Sequence, residues 1–531
     1  VIRILLAAAA AALLASGEVR VDASCPWEDK DGYTPVLVRV EALVRPLQVD
    51  LEVVLGEASA RDRVAVEPGR PLVRTVLVPS NSGYGQPRVR WDAGSSAGED
   101  GASPAIDYRT ADLVLLDPAE RVALPELVKA IADRIGSGGG SGRGGWRSSS
   151  TERARRIAVD LLPDRWQGWP VWLSLLTTAE GERLLSPAQR EAIAAWTRVG
   201  GGLYTTDPQA VETWRRLGAR VALASDPITD SGLFERLKRA AEDPPAPRKV
   251  DVPGTDELPT GWFLTLAIAF AIVAGPLNLW WVKRRGKPWL LLVSTPIISA
   301  GTCALLIAVT LIADGVGRTR IAGQIAILDP AAQRVATFTA ATYFCGIAPG
   351  SFALDPDDRL VPMDPSDWEG RWRRDAPDLA IDWRGGQTAG PGWISARVNR
   401  QIAVTQWRPE RRRLAITRTP GGWSLVNGLD VAISEANWID PSGTAWGVGA
   451  VASGAEAPLA RLPRAASWPD ALVARLGPDL RLALPGQRKP GTLAARLASP
   501  LLPLPGPPAD DATPPEAWVL AHLTPPGEER F

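Results

Sequence analysis

The sequence predicts a multidomain membrane protein: a β-rich region, an α/β module, a transmembrane helical hairpin and a second β-rich region, in that order. Three observations predict it. Two uncharged stretches, Gly261 to Val282 and Pro288 to Ala313, flank a short basic turn. Period-two alternation runs through the segments before 98 and after 318. Between 104 and 243, short apolar strands alternate with helical patterns. The chain has 531 residues, enough for three or four domains at about 150 residues each. Its 59 basic and 59 acidic residues cancel, which argues against a broad nucleic-acid-binding surface. One His and three Cys leave little material for a His-based triad or a His/Cys metal centre, and no cofactor is expected.

The first element is residues 1–17. Arg3, an apolar run from Ile4 to Ala15 and small residues after it make a secretory signal pattern. The run is too short to span a bilayer, which needs about 20 residues. Residues 18–98 carry alternating runs at Pro35 to Val40, Leu47 to Leu55 and Pro71 to Val78, separated by turn residues. They read as a small β-sandwich.

Residues 104–243 change character. Asp112 to Asp117 encloses an apolar strand, and Pro125 to Ile135 has helical spacing. A glycine-rich run, Gly136 to Gly145, reads as a linker or insertion loop, because no Lys-Ser/Thr follows it to bind a phosphate. A strand at Val171 to Leu176, a helix from Ser186 to Val199 and a strand at Gly202 to Thr206 form a βαβ unit. Ser186 is the expected N-cap, with Pro187 at the first helical position and Glu191 near the capping-box place.

The hairpin is residues 261–282, a turn at 283–287, and residues 288–313. At 1.5 Å per residue, the first stretch covers about 33 Å, enough for a hydrocarbon core. Trp262, Trp280, Trp281 and Trp289 sit at segment ends, where an aromatic belt places them. Four of the five turn residues are basic, so the positive-inside rule puts the turn in the cytoplasm and both flanks outside. Neither stretch carries an ionisable side chain between its ends, which argues against a pump or channel. Asn278 is the strongly polar residue, and Thr265, Ser294, Thr295, Ser299 and Thr302 are candidates to pack or hydrogen-bond helix to helix.

Residues 318–497 return to β, with strands expected at 321–328, 336–344, 402–406, 414–418, 423–426 and 431–439. They read as one or two β-sandwiches. Residues 498–531 begin as a Pro-rich connector and include a final expected strand at 516–523.

Several motifs together carry a resemblance. Leu162-Pro163, Trp166-Gln-Gly168-Trp169, Leu185 to Arg190 and Trp196 to Leu203 are similar to the extracytoplasmic class I glutamine amidotransferase-like module of bacterial membrane proteins. Gly275-Pro-Leu-Asn278 before the basic turn, and Thr295-Pro296 after it, are similar to the two-helix segment of such proteins. Gly392 to Arg397 and Val426 to Leu429 resemble their C-terminal part. The resemblance implies a flavodoxin-like fold for the middle module and a bacterial cytoplasmic (inner) membrane location, with most of the mass extracytoplasmic. Enzymatic members carry a Cys in a Gly-x-Cys-x-Gly elbow and a downstream His. Residues 104–243 contain neither Cys nor His, so the expected module is catalytically empty.

The remaining candidates are few. Cys25 and Cys345 both fall on the expected outer side, where a disulfide is permitted if their Cα atoms lie within about 7 Å; two separate thiols is the competing reading. Asp355-Pro-Asp-Asp358 with Asp364 and Asp367 lacks the spacing of an EF-hand loop and reads as a solvated acidic loop. His522 and Arg411-Arg-Arg413 read as surface residues. Eight of the 22 tryptophans lie between Trp368 and Trp446. Trp383, Trp393 and Trp407 are candidates to stack on a glycan; filling cores is the alternative. The expected function is a non-catalytic scaffold or adaptor in the envelope, in contact with membrane lipid and protein partners. A glycan- or small-ligand-binding sensor is the alternative.

Overall fold

Strands from both sides of the hairpin meet in one sheet. In the computed structural model, the described residues are 18–27, 29, 32–79, 86–94, 96–101, 104–106, 112–135, 153–241, 250–253, 255, 260–314, 317–330, 332–363, 379–420, 422–463, 468–476, 480, 483–484 and 489–523. The expected signal peptide, the glycine-rich run, Asp364 and Asp367 lie outside them. The chain is mixed but sheet-rich, with two apolar helices. The described strands form five sheets.

The N-terminal alternation becomes two sheets. Val19–Trp27, Tyr33–Ala42 and Leu72–Pro79 pair antiparallel in one. Leu47–Leu55, Ala58–Val66, Arg88–Asp92 and Ala97–Gly101 pair antiparallel in the other. Along Ala58–Val66 every second residue is buried, as period two requires. Gly56 makes the tight turn between Leu55 and Ala58 at φ +57°, a conformation that favours glycine. Val36, Val38, Leu51 and Val53 share one cluster.

The C-terminal half completes this region. Ala380–Asp382 pairs in parallel with Ser59, Ala60 and Arg61. Gln387–Ala389 and Phe352–Leu354 add beyond it, giving a seven-stranded sheet. Ile381, Trp383, Trp393, Ile402 and Val404 join the same hydrophobic cluster as Val53 and Val76.

Residues 112–223 contain a five-stranded parallel sheet. Its spatial order is Ala154–Arg156, Leu113–Leu116, Ser174–Thr177, Gly202–Thr205, Val221–Leu223. In chain order that is 2-1-3-4-5. The expected helix runs Pro187–Arg198, capped by Ser186. The reciprocal capping partner is Gln189 rather than Glu191, because the box needs the third residue after the cap. Ala192 to Thr197 of this helix are all buried. Trp196 shares a cluster with Ile325, Phe338 and Leu520 of a ten-stranded sheet built from the C-terminal half. That sheet is centred on Arg334–Cys345, Arg318–Asp329 and Glu516–His522.

Three tryptophans thread the contact between the N-terminal sheet and the parallel-sheet module. Trp27, Trp169 and Trp196 lie with ring centroids 5.0 and 5.1 Å apart. Their indole nitrogens donate to Gly168 O, Pro163 O and Pro170 O. A Cβ on Gly168 would crowd Leu77 and Pro35. The Trp166 to Trp169 motif is therefore a packing surface.

Two helical spans, Leu264–Arg285 and Leu290–Ala308, are long and apolar enough to cross a membrane. Pro276 sits in a π-helical turn, Val273–Leu277, that absorbs its missing donor. Asn278 clasps the helices together: its Nδ2 donates to Thr295 Oγ1 at 3.2 Å, and Ser294 Oγ donates to its Oδ1 at 2.7 Å. Leu264, Ile268, Leu292 and Ile297 are exposed. Arg284 and Arg285 lie over the rings of Trp280 and Trp281.

Candidate functional site

In an open parallel sheet, ligands bind outside the carboxyl ends of the strands, where the strand order reverses. Here that point lies between Leu113–Leu116 and Ser174–Thr177. A short helix, Ala179–Leu184, closes it. Its N-cap Thr178 accepts from Gly181 N and donates to Leu116 O. A Cβ on Gly181 would overlap the Leu116 carbonyl, so the helix rests directly on the strand end. Glu182 Oε1 accepts from Thr177 Oγ1 at 2.6 Å and from Thr205 Oγ1 at 2.7 Å. One carboxylate oxygen is thus held by the ends of two adjacent strands. Asp117, buried, accepts from the backbone of Arg121 and Val122 and faces Arg156 at 3.6 Å. Arg121 pairs with Glu180. Among the described residues, Asp117, Glu180 and Glu182 at this edge are each held by a protein partner.

A second polar constellation lies where three parts of the chain meet. Asp29, from the N-terminal segment, pairs with Arg359 at 2.8 Å, and both are buried. Trp172 of the parallel-sheet module reaches Asp29 Oδ1 at 3.4 Å. Gln167 Nε2 donates to Pro356 O at 2.8 Å. With its amide oriented to satisfy both ends, Gln387 accepts from the Tyr33 hydroxyl at 2.6 Å and donates to Asp355 O and Asp358 O. Asp358 pairs with Arg408 and accepts from Gln406 Nε2, which Thr337 in turn supports. Arg408 also holds Asp355 at 2.9 Å. A Cβ on Gly32 would overlap the Arg359 guanidinium and the Asp29 carboxylate. That close approach explains the glycine.

Burial is the dominant influence on these groups. It pushes the Asp358 carboxyl up to about 6, against the opposing pull of Arg408 and Gln406. It also raises the Tyr33 phenol and lowers the Arg165 guanidinium, which lies over the Trp383 ring. The acidic run at 355–358 is therefore not uniformly solvated: Asp357 is exposed, whereas Asp358 is a buried, paired residue.

The tryptophans proposed for stacking are core residues. Trp383 is 5% exposed, donates to Leu77 O and is covered by Arg165. Trp393 is 2% exposed and donates to Ala380 O. Trp407 is 9% exposed, with Arg334 over its ring. No open ring face remains for a sugar on these three, because they fill the contacts between sheets. Cys25 and Cys345 stand as separate buried thiols, with Cys25 Sγ donating to Trp27 O. His522 is exposed at a strand end. Arg412 pairs with Glu410 and Asp430, while Arg411 and Arg413 are exposed. Among the described residues, no three His, Cys, Asp or Glu side chains converge to hold a metal ion. Two open surface clefts lie elsewhere: one of about 490 Å³ beside Arg88, Glu99 and Asp100, and one of about 400 Å³ beside Ile321, Arg496 and Glu516.

No family model matches this chain, and no curated protein matches it. Among solved structures, it is similar to the μ-homology domain of yeast delta-COP-I complexed with a Dsl1 WxWxV peptide. That match has 8% identity over 39% of this chain and 96% of that one, with a TM-score of 0.16. A likeness this loose carries no inference about fold or function.

Two outcomes follow from the junction. Arg359→Ala removes the ion-pair partner of the buried Asp29 carboxylate and lowers stability by about 3–5 kcal/mol in chemical denaturation. The apolar double replacement Asp29→Leu/Arg359→Met recovers most of that loss, because no charge is left unpaired. Asp358 gives a pH signature. Its folded pKa, about 6, exceeds the ordinary 3.8, so the folded chain binds the extra proton between those values. Its contribution is greatest below about pH 4 and is lost as pH rises through about 6, by on the order of 3 kcal/mol. Asp382, Glu410 and Asp440, whose carboxyls are lowered by their hydrogen bonds, act in the opposite direction. The difference between wild type and Asp358→Asn in urea midpoints from pH 4 to 7 isolates the Asp358 effect.

Proposed function

We propose that this chain is a non-catalytic scaffold or adaptor of the bacterial cytoplasmic membrane, which presents extracytoplasmic domains to partner proteins. The observation that carries this reading is that the described acids at the carboxyl edge of the parallel sheet, Asp117, Glu180 and Glu182, are engaged by protein partners. The 2-1-3-4-5 order is that of flavodoxin-like folds, which supports an amidotransferase-like module. At that strand end the helix Ala179–Leu184 packs directly on Leu116, and its Glu182 is tied to Thr177 and Thr205. With no Cys or His between 104 and 243, the module supplies neither a thiolate nor an imidazole base.

Membrane insertion is supported by the exposed apolar side chains of both long helices. A core helix of a soluble protein would bury them. Connectivity supports one topology. Segments on both sides of the hairpin hydrogen-bond in one sheet, which favours both helix ends leaving the hairpin on one side. The basic turn then takes the cytoplasmic side, and a signal peptide at 1–17 agrees with export of the flanks. Two short strands at sheet margins, Ala97–Gly101 and Ala460–Arg461, offer backbone donors and acceptors to a partner strand. The glycan-sensor alternative loses its support, because Trp383, Trp393 and Trp407 are buried.

Affinity purification of the full chain from detergent-solubilised membranes tests the adaptor role. The expected result is a fixed, reproducible ratio of one or more envelope proteins to the bait. Recovery of bait alone, across repeated trials and mild detergents, would count against it.

A further inference from the structure

Two loops converge on the points where the chain enters and leaves the hairpin. The second long helix ends at Asp314, three positions before Gly317, a span of at most about 11 Å. Gly317 O accepts from Gly346 N at 3.0 Å, which seats the loop Gly346-Ile-Ala-Pro-Gly350 beside that exit. Cys345 bridges to Ala396, and Arg397 N donates to Cys345 O at 2.7 Å. These bonds seat Ala396-Arg-Val-Asn399 next to the first loop. On the entry side, Asn399 accepts from Val252 N and donates to Thr255 Oγ1. Thr255 precedes the first helix, which begins at Thr260, by five positions. Both loops are therefore tied by hydrogen bonds to the chain immediately outside the helix ends.

Each loop carries one exposed large apolar side chain at its tip. Ile347 is 56% exposed and Val398 is 47% exposed. The 346–350 loop contains no charged residue. Arg397, between Ala396 and Val398, is exposed and adopts φ +58°. Non-glycine residues reach that conformation only at a cost. Apolar tips with a cation between them match the headgroup layer, where aliphatic groups enter the acyl boundary and a guanidinium meets phosphate.

We propose that Ile347 and Val398 are an interfacial wedge that rests the folded body on the phospholipid bilayer at the foot of the hairpin. The surface is continuous with the membrane segment, and its occupant is the headgroup layer of the same bilayer. This inference rests on the membrane-hairpin reading. Its consequence is orientation: the wedge adds two contacts off the hairpin axis and restrains the body from pivoting on its two linkers.

The test uses the full chain in phosphatidylcholine vesicles, with and without brominated acyl chains. In a Cys303→Ser background, single cysteines are placed by Ile347→Cys, Val398→Cys, Ile297→Cys or Glu191→Cys and labelled with an environment-sensitive fluorophore. The buried Cys25 and Cys345 are shielded from the reagent. The expected result is blue-shifted emission, quenched by bromolipid, at 347 and 398 as well as at 297, with red, unquenched emission at 191. Quenching at 297 with water-like emission at both 347 and 398 would overturn the wedge and leave the hairpin standing. Absence of quenching at 297 would overturn both. A protein partner covering the wedge instead would give blue-shifted but unquenched labels at 347 and 398, which also contradicts the proposal.

Discussion

The parallel pairing of Ala380–Asp382 with Ser59, Ala60 and Arg61 constrains everything else in this molecule. More than 300 residues separate the partners, and the hairpin lies between them. Closing so long a loop costs entropy, and three residue pairs of ladder do not offset it alone. The shared cluster of Val53, Ala60 and Val76 with Ile381, Trp393 and Val404 does so through burial of apolar surface. Once that core forms, the ends of the hairpin are tied to one body.

The buried ions at the junction fit the same picture. The neighbours Asp358 and Arg359 reach partners 50 and 330 positions away, Arg408 and Asp29. A buried ion pair adds little net stability over an apolar pair, but it penalises any arrangement that leaves one member alone. Here the pairs reward one docking of N-terminal strands, parallel-sheet module and C-terminal sheet. Gln167, Trp172 and Gln387 extend the network to all three. The module's helix Pro187–Arg198, buried from Ala192 to Thr197, is positioned by the same docking. This economy supports the scaffold proposal: the polar side chains at the two candidate sites are largely paired with each other.

Much of the secondary structure was legible in the sequence. Leu47–Leu55 alternates clearly, and Ser186-Pro187 marks its helix start, because period two and capping are local properties. The C-terminal strands near 318–329, 334–345 and 516–522 were legible for the same reason. What was hidden depends on contacts far along the chain. Phe352–Leu354, Ala380–Asp382 and Gln387–Ala389 are three residues each, too short for a periodic signal, and they exist as strands through a sheet begun 300 residues earlier. Asp358 looked like a solvated loop acid because Arg408, 50 positions on, is brought to it only by strand pairing. The Thr177–Glu182–Thr205 clasp was equally hidden, since nothing local joins the ends of two strands. The tryptophans left core filling and ligand stacking both open, because composition reports their number and not which side of a sheet they face.

The measurement that bears most directly on the shared sheet is the sidedness of the two flanks. In a Cys303→Ser background, cysteines placed by Glu191→Cys, Arg411→Cys and Lys287→Cys sample the first flank, the second flank and the basic turn, all exposed positions. With a membrane-impermeant maleimide on intact spheroplasts, the account predicts labelling at 191 and 411, and labelling at 287 only after permeabilisation. Labelling of 191 and 411 from opposite faces of the membrane would contradict it, because strands on opposite sides of a bilayer cannot share a ladder.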